Sequence, residues 1–126
     1  MAQLQVHVIE ARNLARKDKF SKDDAFLEIY LDDINQKQKT TVKRRSNDPV
    51  WNESFFFNHA EGQNILHIDA YDKDLIKKDK IGSLQIDLHN LYYKGSIDDW
   101  FDIEDKHQDQ SQGQLHLSLY YKKLQM

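Results

Sequence analysis

A hydrophobic period of two recurs along this chain and constrains its fold more than any other feature. Leu4, Val6 and Val8 alternate with Gln5 and His7, and Leu27, Ile29 and Leu31 alternate with Glu28 and Tyr30. The pattern returns in Leu66, Ile68 and Ala70, and again in Leu115, Leu117 and Leu119. Successive strand residues point to opposite faces, so this period makes half-buried strands rather than helices. Runs rich in β-branched and aromatic residues at 38–43, 51–57, 81–88 and 99–103 bring the total to about eight strands. Residues 89–95 have room for one helical turn. A sheet with one apolar face must cover it, and two sheets cover each other, so the expected fold is all-β, an eight-stranded antiparallel β-sandwich. Trp51, Phe55 and Phe57 alternate on one strand and belong in its core, with Trp100 expected there too.

The chain has 126 residues, which suits one domain, residues 1–126, around a single core. Residues 104–113, "EDKHQDQSQG", read as a mobile loop. No apolar run is long enough to cross a bilayer. The amino terminus lacks a basic segment leading into an apolar one, and Ala2 stands where N-myristoylation demands glycine. Start and strand count together favour a free-standing adaptor over a fragment. Absence of cysteine excludes disulfides and zinc–thiolate sites and makes a cytoplasmic location the expectation. The net charge of −3 and the lack of aromatics among the basic residues argue against nucleic acid as a partner. The histidines are scattered singly and no G-x-S-x-G motif occurs, so no catalytic residue is assigned and no enzyme is expected. His7 and His116 fall on outward positions of strands expected to be neighbours, a minor candidate for adventitious zinc or nickel.

Two acidic segments sit at strand ends: "LARKDKFSKDDAF" (14–26) and "YDKDLIKKDKIG" (71–82). They bring Asp18, Asp24, Asp72, Asp74 and Asp79 toward one end of the expected sandwich. Carboxylates held that close repel and raise one another's pKa unless a cation is supplied. Calcium accepts oxygen ligands at flexible geometry and suits two such loops better than magnesium. From the residues alone two readings stay open, calcium ligands or solvated turn residues. An EF-hand is excluded, because the sixth and twelfth places counted from Asp72 hold Lys77 and Ser83 where glycine and glutamate are required.

The order "LQVHVIEARNL", "DKFSKDDAF", "KTTVKRRSNDPVWNESFFF", "LHIDAYDKD" and "KKDKIG" resembles a C2 domain, the calcium-dependent membrane-targeting module of conventional protein kinase C and the synaptotagmins. The resemblance runs from about residue 4 to 122. It implies that Asp18, Asp24, Asp72, Asp74 and Asp79 are calcium ligands, that the carbonyls of Lys17 and Lys73 join them, and that two calcium ions bind. The first strand resembles the second strand of the synaptotagmin arrangement and "GQLHLSLYY" resembles its first, which implies the circularly permuted type II topology. Two departures are visible: Asp24-Ala25-Phe26 stands where the family has Asp-Pro-Tyr, and Asp48-Pro49 where it has Asn-Pro. Some members hold phosphoinositide headgroups through lysines on the two strands after the first loop. Glu28 and Tyr30 occupy the earlier strand's positions here, so only the later strand is basic.

The resemblance also gives the apolar loop residues a purpose. Phe20, Leu75 and Ile76, flanked by ligands, are expected to insert into an anionic, phosphatidylserine-like membrane, with Lys19, Lys73, Lys77 and Lys78 adding attraction. The alternative is that they fold back and close the sandwich end. The basic run Lys37, Lys39, Lys43, Arg44 and Arg45 is either a solvated strand face or a second acidic-lipid or protein contact. The expected protein is therefore a monomeric cytoplasmic calcium sensor, peripheral at membranes when calcium rises. The competing expectation is a calcium-insensitive interaction or scaffold domain.

Overall fold

The computed structural model describes residues 2–15, 23–32, 36–60, 62–105 and 110–123. These form eight strands and one short helix: β1 (Ala2–Arg12), β2 (Ala25–Tyr30), β3 (Gln38–Lys39), β4 (Val50–His59), β5 (Ile65–Lys73), β6 (Lys78–Asp87), α1 (His89–Lys94), β7 (Ser96–Asp105) and β8 (Gln110–Lys123). Pairing is antiparallel throughout, in the order β3-β2-β5-β6-β7-β8-β1-β4. The last strand lies beside the first, as the permuted topology requires.

The period of two becomes a core in a direct way. Leu4, Val6 and Val8 of β1, Leu27 and Ile29 of β2, Leu66 and Ile68 of β5, and Leu115, Leu117 and Leu119 of β8 are buried in one cluster with Trp51, Phe55 and Phe57 of β4. On β1 the even-numbered parity ends at a register shift between Val8 and Glu10, after which Ala11 is the buried residue. A bulge adds one residue to a strand, so the inward set changes parity. The expected helical turn is α1, which buries Leu91 and ends on Gly95 with φ 79°, whose amide donates to the Leu91 carbonyl at 2.8 Å.

β6 and β7 share one register pair, Ser83 with Glu104, while β5 with β6 and β7 with β8 pair along most of their length. There the sheet folds over into two layers, β3-β2-β5-β6 and β7-β8-β1-β4. Gly82 permits the approach: a Cβ on it would lie 2.8 Å from both the Glu104 carbonyl oxygen and Ile103 Cγ2.

Three expectations need correction. The strand at 38–43 is reduced to Gln38–Lys39, because Thr41 turns to the other layer. Its amide donates to Glu53 Oε1 at 3.0 Å and its carbonyl accepts Trp51 Nε1 at 2.8 Å. Trp100 is half-buried outside the core, stacked 5.0 Å from His116 with the Arg12 guanidinium 3.9 Å above its ring. The stretch 104–113 is largely strand: β7 runs to Asp105, β8 starts at Gln110, and only 106–109 lie outside the described residues.

Replacing Gly82 with alanine is expected to destabilise the fold by about 1–3 kcal/mol through overpacking at the layer crossing. Urea denaturation reads this as a lower midpoint at constant slope; an unchanged midpoint would show that the crossing widens at no cost.

Candidate metal centre and loop tip

Backbone hydrogen bonds stitch three connections together at one end of the sandwich. Leu14 and Asn47 exchange bonds, with the Leu14 amide donating to the Asn47 carbonyl at 3.0 Å and Asn47 Nδ2 to the Leu14 carbonyl at 2.7 Å. The Ser46 amide donates to the Asp23 carbonyl at 3.1 Å, and the Lys73 amide to the Asp24 carbonyl at 2.9 Å. The exit of the β1–β2 connection, residues 43–48 and the start of the β5–β6 turn therefore converge.

Candidate ligands gather at this junction. Register sets Ala25 opposite Asp72 and Asp72 opposite Asp79. The Asp24 amide donates to Asp72 Oδ1 at 2.8 Å, and Asp24 Oδ1 accepts the Arg45 amide at 2.8 Å. Asp72 follows the inward parity of Leu66, Ile68 and Ala70, so it is buried. Burial raises its pKa, and the charges of Asp23, Asp24 and Asp79 raise it further, against the lowering effect of the Asp24 amide. Asp74 stands further out, opening a turn in which its Oδ1 accepts the Leu75 amide at 2.6 Å and its amide donates to the Lys77 carbonyl at 2.8 Å. Asp18, Lys17, Lys19 and Phe20 lie outside the described residues.

Asp23 is a contributor that the sequence reading did not single out, and Arg45, expected only as part of the basic run, has a different part here. Asp23 is fully buried and adds negative charge beside Asp72; the Asp-Asp doublet at 23–24 was its visible signal. Arg45 holds Asp24 through its amide rather than its guanidinium, in a backbone conformation with φ 53° that composition does not reveal.

An all-oxygen set of crowded, partly desolvated carboxylates fits a hard divalent cation such as calcium. Among the described residues no three His, Asp or Glu side chains form a ready-made cage. Lys77 Nζ lies 3.6 Å from Asp79 Oδ1, a long and solvent-exposed pair at the rim.

Leu75 and Ile76 are 101% and 96% exposed, so they project from the turn and do not fold back. Behind them a cleft of ≈600 Å³ opens against residues 39–42, with Phe26 and Val42 on its apolar wall and Lys39 and Lys73 at its rim. Lys78 turns away from the tip, its Nζ 2.7 Å from the Glu28 carboxylate and 4.4 Å from the Tyr71 ring centroid. The basic run separates into two groups. Lys37 and Lys39 meet Glu28 on the outer face of the β3-β2-β5-β6 layer, while Lys43 bridges to Ala25 at the loop end, followed by exposed Arg44 and Arg45. His7 and His116 face different partners, Ser54 at 2.7 Å and Asp98 at 2.6 Å.

The C2 domain family profile matches residues 2–103. Extended synaptotagmin-3 of Mus musculus is 36% identical over 122 residues, 92% of this chain and 13% of that protein. Synaptotagmin-1 of Aplysia californica is 36% identical over 107 residues, 81% of this chain and 25% of that protein. The chain thus spans between about an eighth and a quarter of the length of these relatives. Among solved structures, the first C2 domain of a plant extended synaptotagmin 1 superposes with a TM-score of 0.85 at 27% identity, covering 99% of this chain and 97% of that one. The calcium-bound C2A and C2B domains of extended synaptotagmin 2 superpose with a TM-score of 0.82 at 31% identity, covering 95% of this chain and 45% of that one.

Asn at position 72 keeps the acceptor for the Asp24 amide and removes one crowded charge. In chelator, Asp72→Asn is expected to raise thermal stability modestly, by less than about 1 kcal/mol. The sign follows from the raised pKa: a carboxyl harder to ionise when folded lowers stability wherever it is ionised. Loss of stability in a calorimetric melt would contradict the crowding.

Proposed function

This chain belongs to the C2 domain family, and from that premise we propose that it docks on anionic phospholipid membranes in a calcium-dependent way. The observation that carries the proposal is the crowding of Asp72 by Asp23, Asp24 and Asp79 at the end of the sandwich from which bare Leu75 and Ile76 project. Asp18, Asp24, Asp72, Asp74 and Asp79, with the carbonyls of Lys17 and Lys73, would hold two calcium ions. When bound, calcium supplies neutralising charge and open coordination positions for lipid phosphate or carboxylate oxygens. The calcium-bound relative with 31% identity supports the assignment.

The chain's own residues supply the rest. Uncompensated, the carboxylates oppose approach to a negative surface. Four positive charges against the five ligand carboxylates and the neighbouring Asp23 lower that barrier. Leu75 and Ile76 at the tip, and Phe20 from the other acidic segment, then contribute roughly 1.5–3 kcal/mol each on burial among acyl chains. Lys19, Lys73 and Lys77 contribute about 1 kcal/mol each near anionic lipid. Lys77 has a particular part, since engaging Asp79 as a ligand frees its ammonium for the membrane. Lipid and metal each tighten the other's binding, as linkage demands. The module acts as a monomer, a binding domain rather than an enzyme, cytoplasmic and peripheral when calcium rises. No described helix is long and apolar enough to cross a membrane.

One observation favours the second reading, a calcium-insensitive protein-interaction domain. Asp74 already accepts an amide within its own turn and Asp79 already has the weak contact with Lys77, so part of the acidic loop has protein partners of its own.

Sedimentation with phosphatidylserine vesicles separates the two. Calcium is expected to drive the protein onto vesicles and chelator to release it, whereas equal sedimentation in both supports the second reading. Asp72→Asn with Asp74→Asn is expected to abolish the calcium-driven fraction with the fold intact; parental binding by that variant would refute the ligand assignment. Leu75→Ser with Ile76→Ser is expected to weaken vesicle binding by at least about tenfold, through lost apolar burial, while leaving calcium affinity without lipid unchanged. Undiminished vesicle binding would show that the tip residues do not enter the membrane.

A further inference from the structure

The outer face of the β3-β2-β5-β6 layer carries Lys37, Lys39, Lys78 and Lys80. Ammonium groups spaced along one face attract phosphate-rich headgroups when they stand free. Here they are held from within. Lys78 Nζ lies 2.7 Å, Lys37 Nζ 2.9 Å and Lys39 Nζ 3.7 Å from oxygens of the Glu28 carboxylate. Glu28 is fully buried beneath them. Burial works to raise its pKa, but the Lys78 and Lys37 ammoniums outweigh it and keep the group ionised below the usual glutamate range. Lys80 is held by Asp69 at 3.3 Å, and Asp69 also accepts the Tyr30 hydroxyl at 3.1 Å. Lys37 and Lys78 have second partners in the rings of Tyr30 and Tyr71, 5.2 and 4.4 Å from the centroids.

Toward β7 the same face turns acidic. A cleft of ≈570 Å³ is lined by Asp69, Asp102 and Glu104, and Asp32 sits 3.3 Å from His67 at its edge. Four lysines therefore stand against the five carboxylates of Glu28, Asp32, Asp69, Asp102 and Glu104. Its balance is negative, and the lysines already have carboxylate partners.

We infer that Glu28 is a specificity-determining residue, an internal anion that occupies the lysine cluster of this face so that polyphosphorylated lipid headgroups gain no preference there. Recognition of a membrane then falls to the loop end. This rests on the proposed function only in taking an anionic membrane as the ligand, and the test runs in chelator so that calcium plays no part.

The full chain is titrated with phosphatidylcholine vesicles containing either phosphatidylserine or phosphatidylinositol bisphosphate at matched surface charge. Without calcium the parent is expected to bind both vesicles only weakly, at high lipid concentration, and within about twofold of each other. Glu28→Gln keeps the shape and removes the charge, so it is expected to bind the bisphosphate vesicles about fivefold more tightly, which corresponds to about 1 kcal/mol for one charge near such a surface. Adding Lys37→Met to that variant is expected to cancel the gain. Lys37→Met alone is expected to leave parental binding unchanged, a readout that does not depend on the folding of Glu28→Gln. A parental preference for bisphosphate vesicles that Lys37→Met removes would overturn the inference, as would a folded Glu28→Gln protein with no gain. Failure of the calcium reading would appear elsewhere, as the lack of a calcium-driven increase in the parent.

Discussion

The antiparallel pairing of β2 with β5 sets Ala25 opposite Asp72 and brings the Asp24 amide onto the Asp72 carboxylate. Two segments nearly fifty residues apart are thereby locked in contact, and their acidic side chains cannot separate. Repulsion among Asp23, Asp24, Asp72 and Asp79 opposes that arrangement. It is outweighed because the same two strands bury Leu27, Ile29, Leu66 and Ile68 a few residues away. The sheet thus holds together charges that would disperse on a flexible loop, and the resulting negative potential is a property of the ladder rather than of any single aspartate.

Positive charge is distributed with equal definition. Lys37, Lys39 and Lys78 are drawn onto Glu28, and Lys80 onto Asp69, so the lysines on the outer face of that layer are paired from within. At the loop end, Lys73 is exposed and Lys77 is held by the long contact with Asp79. Exposed ion pairs of this kind hold weakly and exchange readily. The protein therefore presents one end where charge is unbalanced and rearrangeable, crowned by two apolar side chains in solvent. Its side face is closed.

Much of this was legible in the residues. The period of two located the strands because each has one covered and one open face, and Trp51, Phe55 and Phe57 were visible as core for the same reason. The order of acidic segments identified the family, and convergence of the turns follows from that fold. Other features depended on contacts between distant segments. The strand after β2 ends early because Thr41 bonds to Glu53 and Trp51 in the opposite layer. Trp100 leaves the core because Arg12 and His116 offer its ring two flat partners outside. The division of the basic run, with Lys37 and Lys39 on Glu28 and Arg44 and Arg45 elsewhere, follows from register across three strands. Asp18 and Phe20 lie outside the described residues.

In the proposed function, carboxylates from distant turns form a pocket whose charge a divalent ion relieves and a lipid headgroup completes. Isothermal titration of calcium into the protein, with and without short-chain phosphatidylserine, tests it most directly. Saturable binding at a stoichiometry of about two ions is expected, with affinity strengthened when the lipid is present, as linked binding requires. Absence of binding under both conditions, or an affinity indifferent to the lipid, would contradict it.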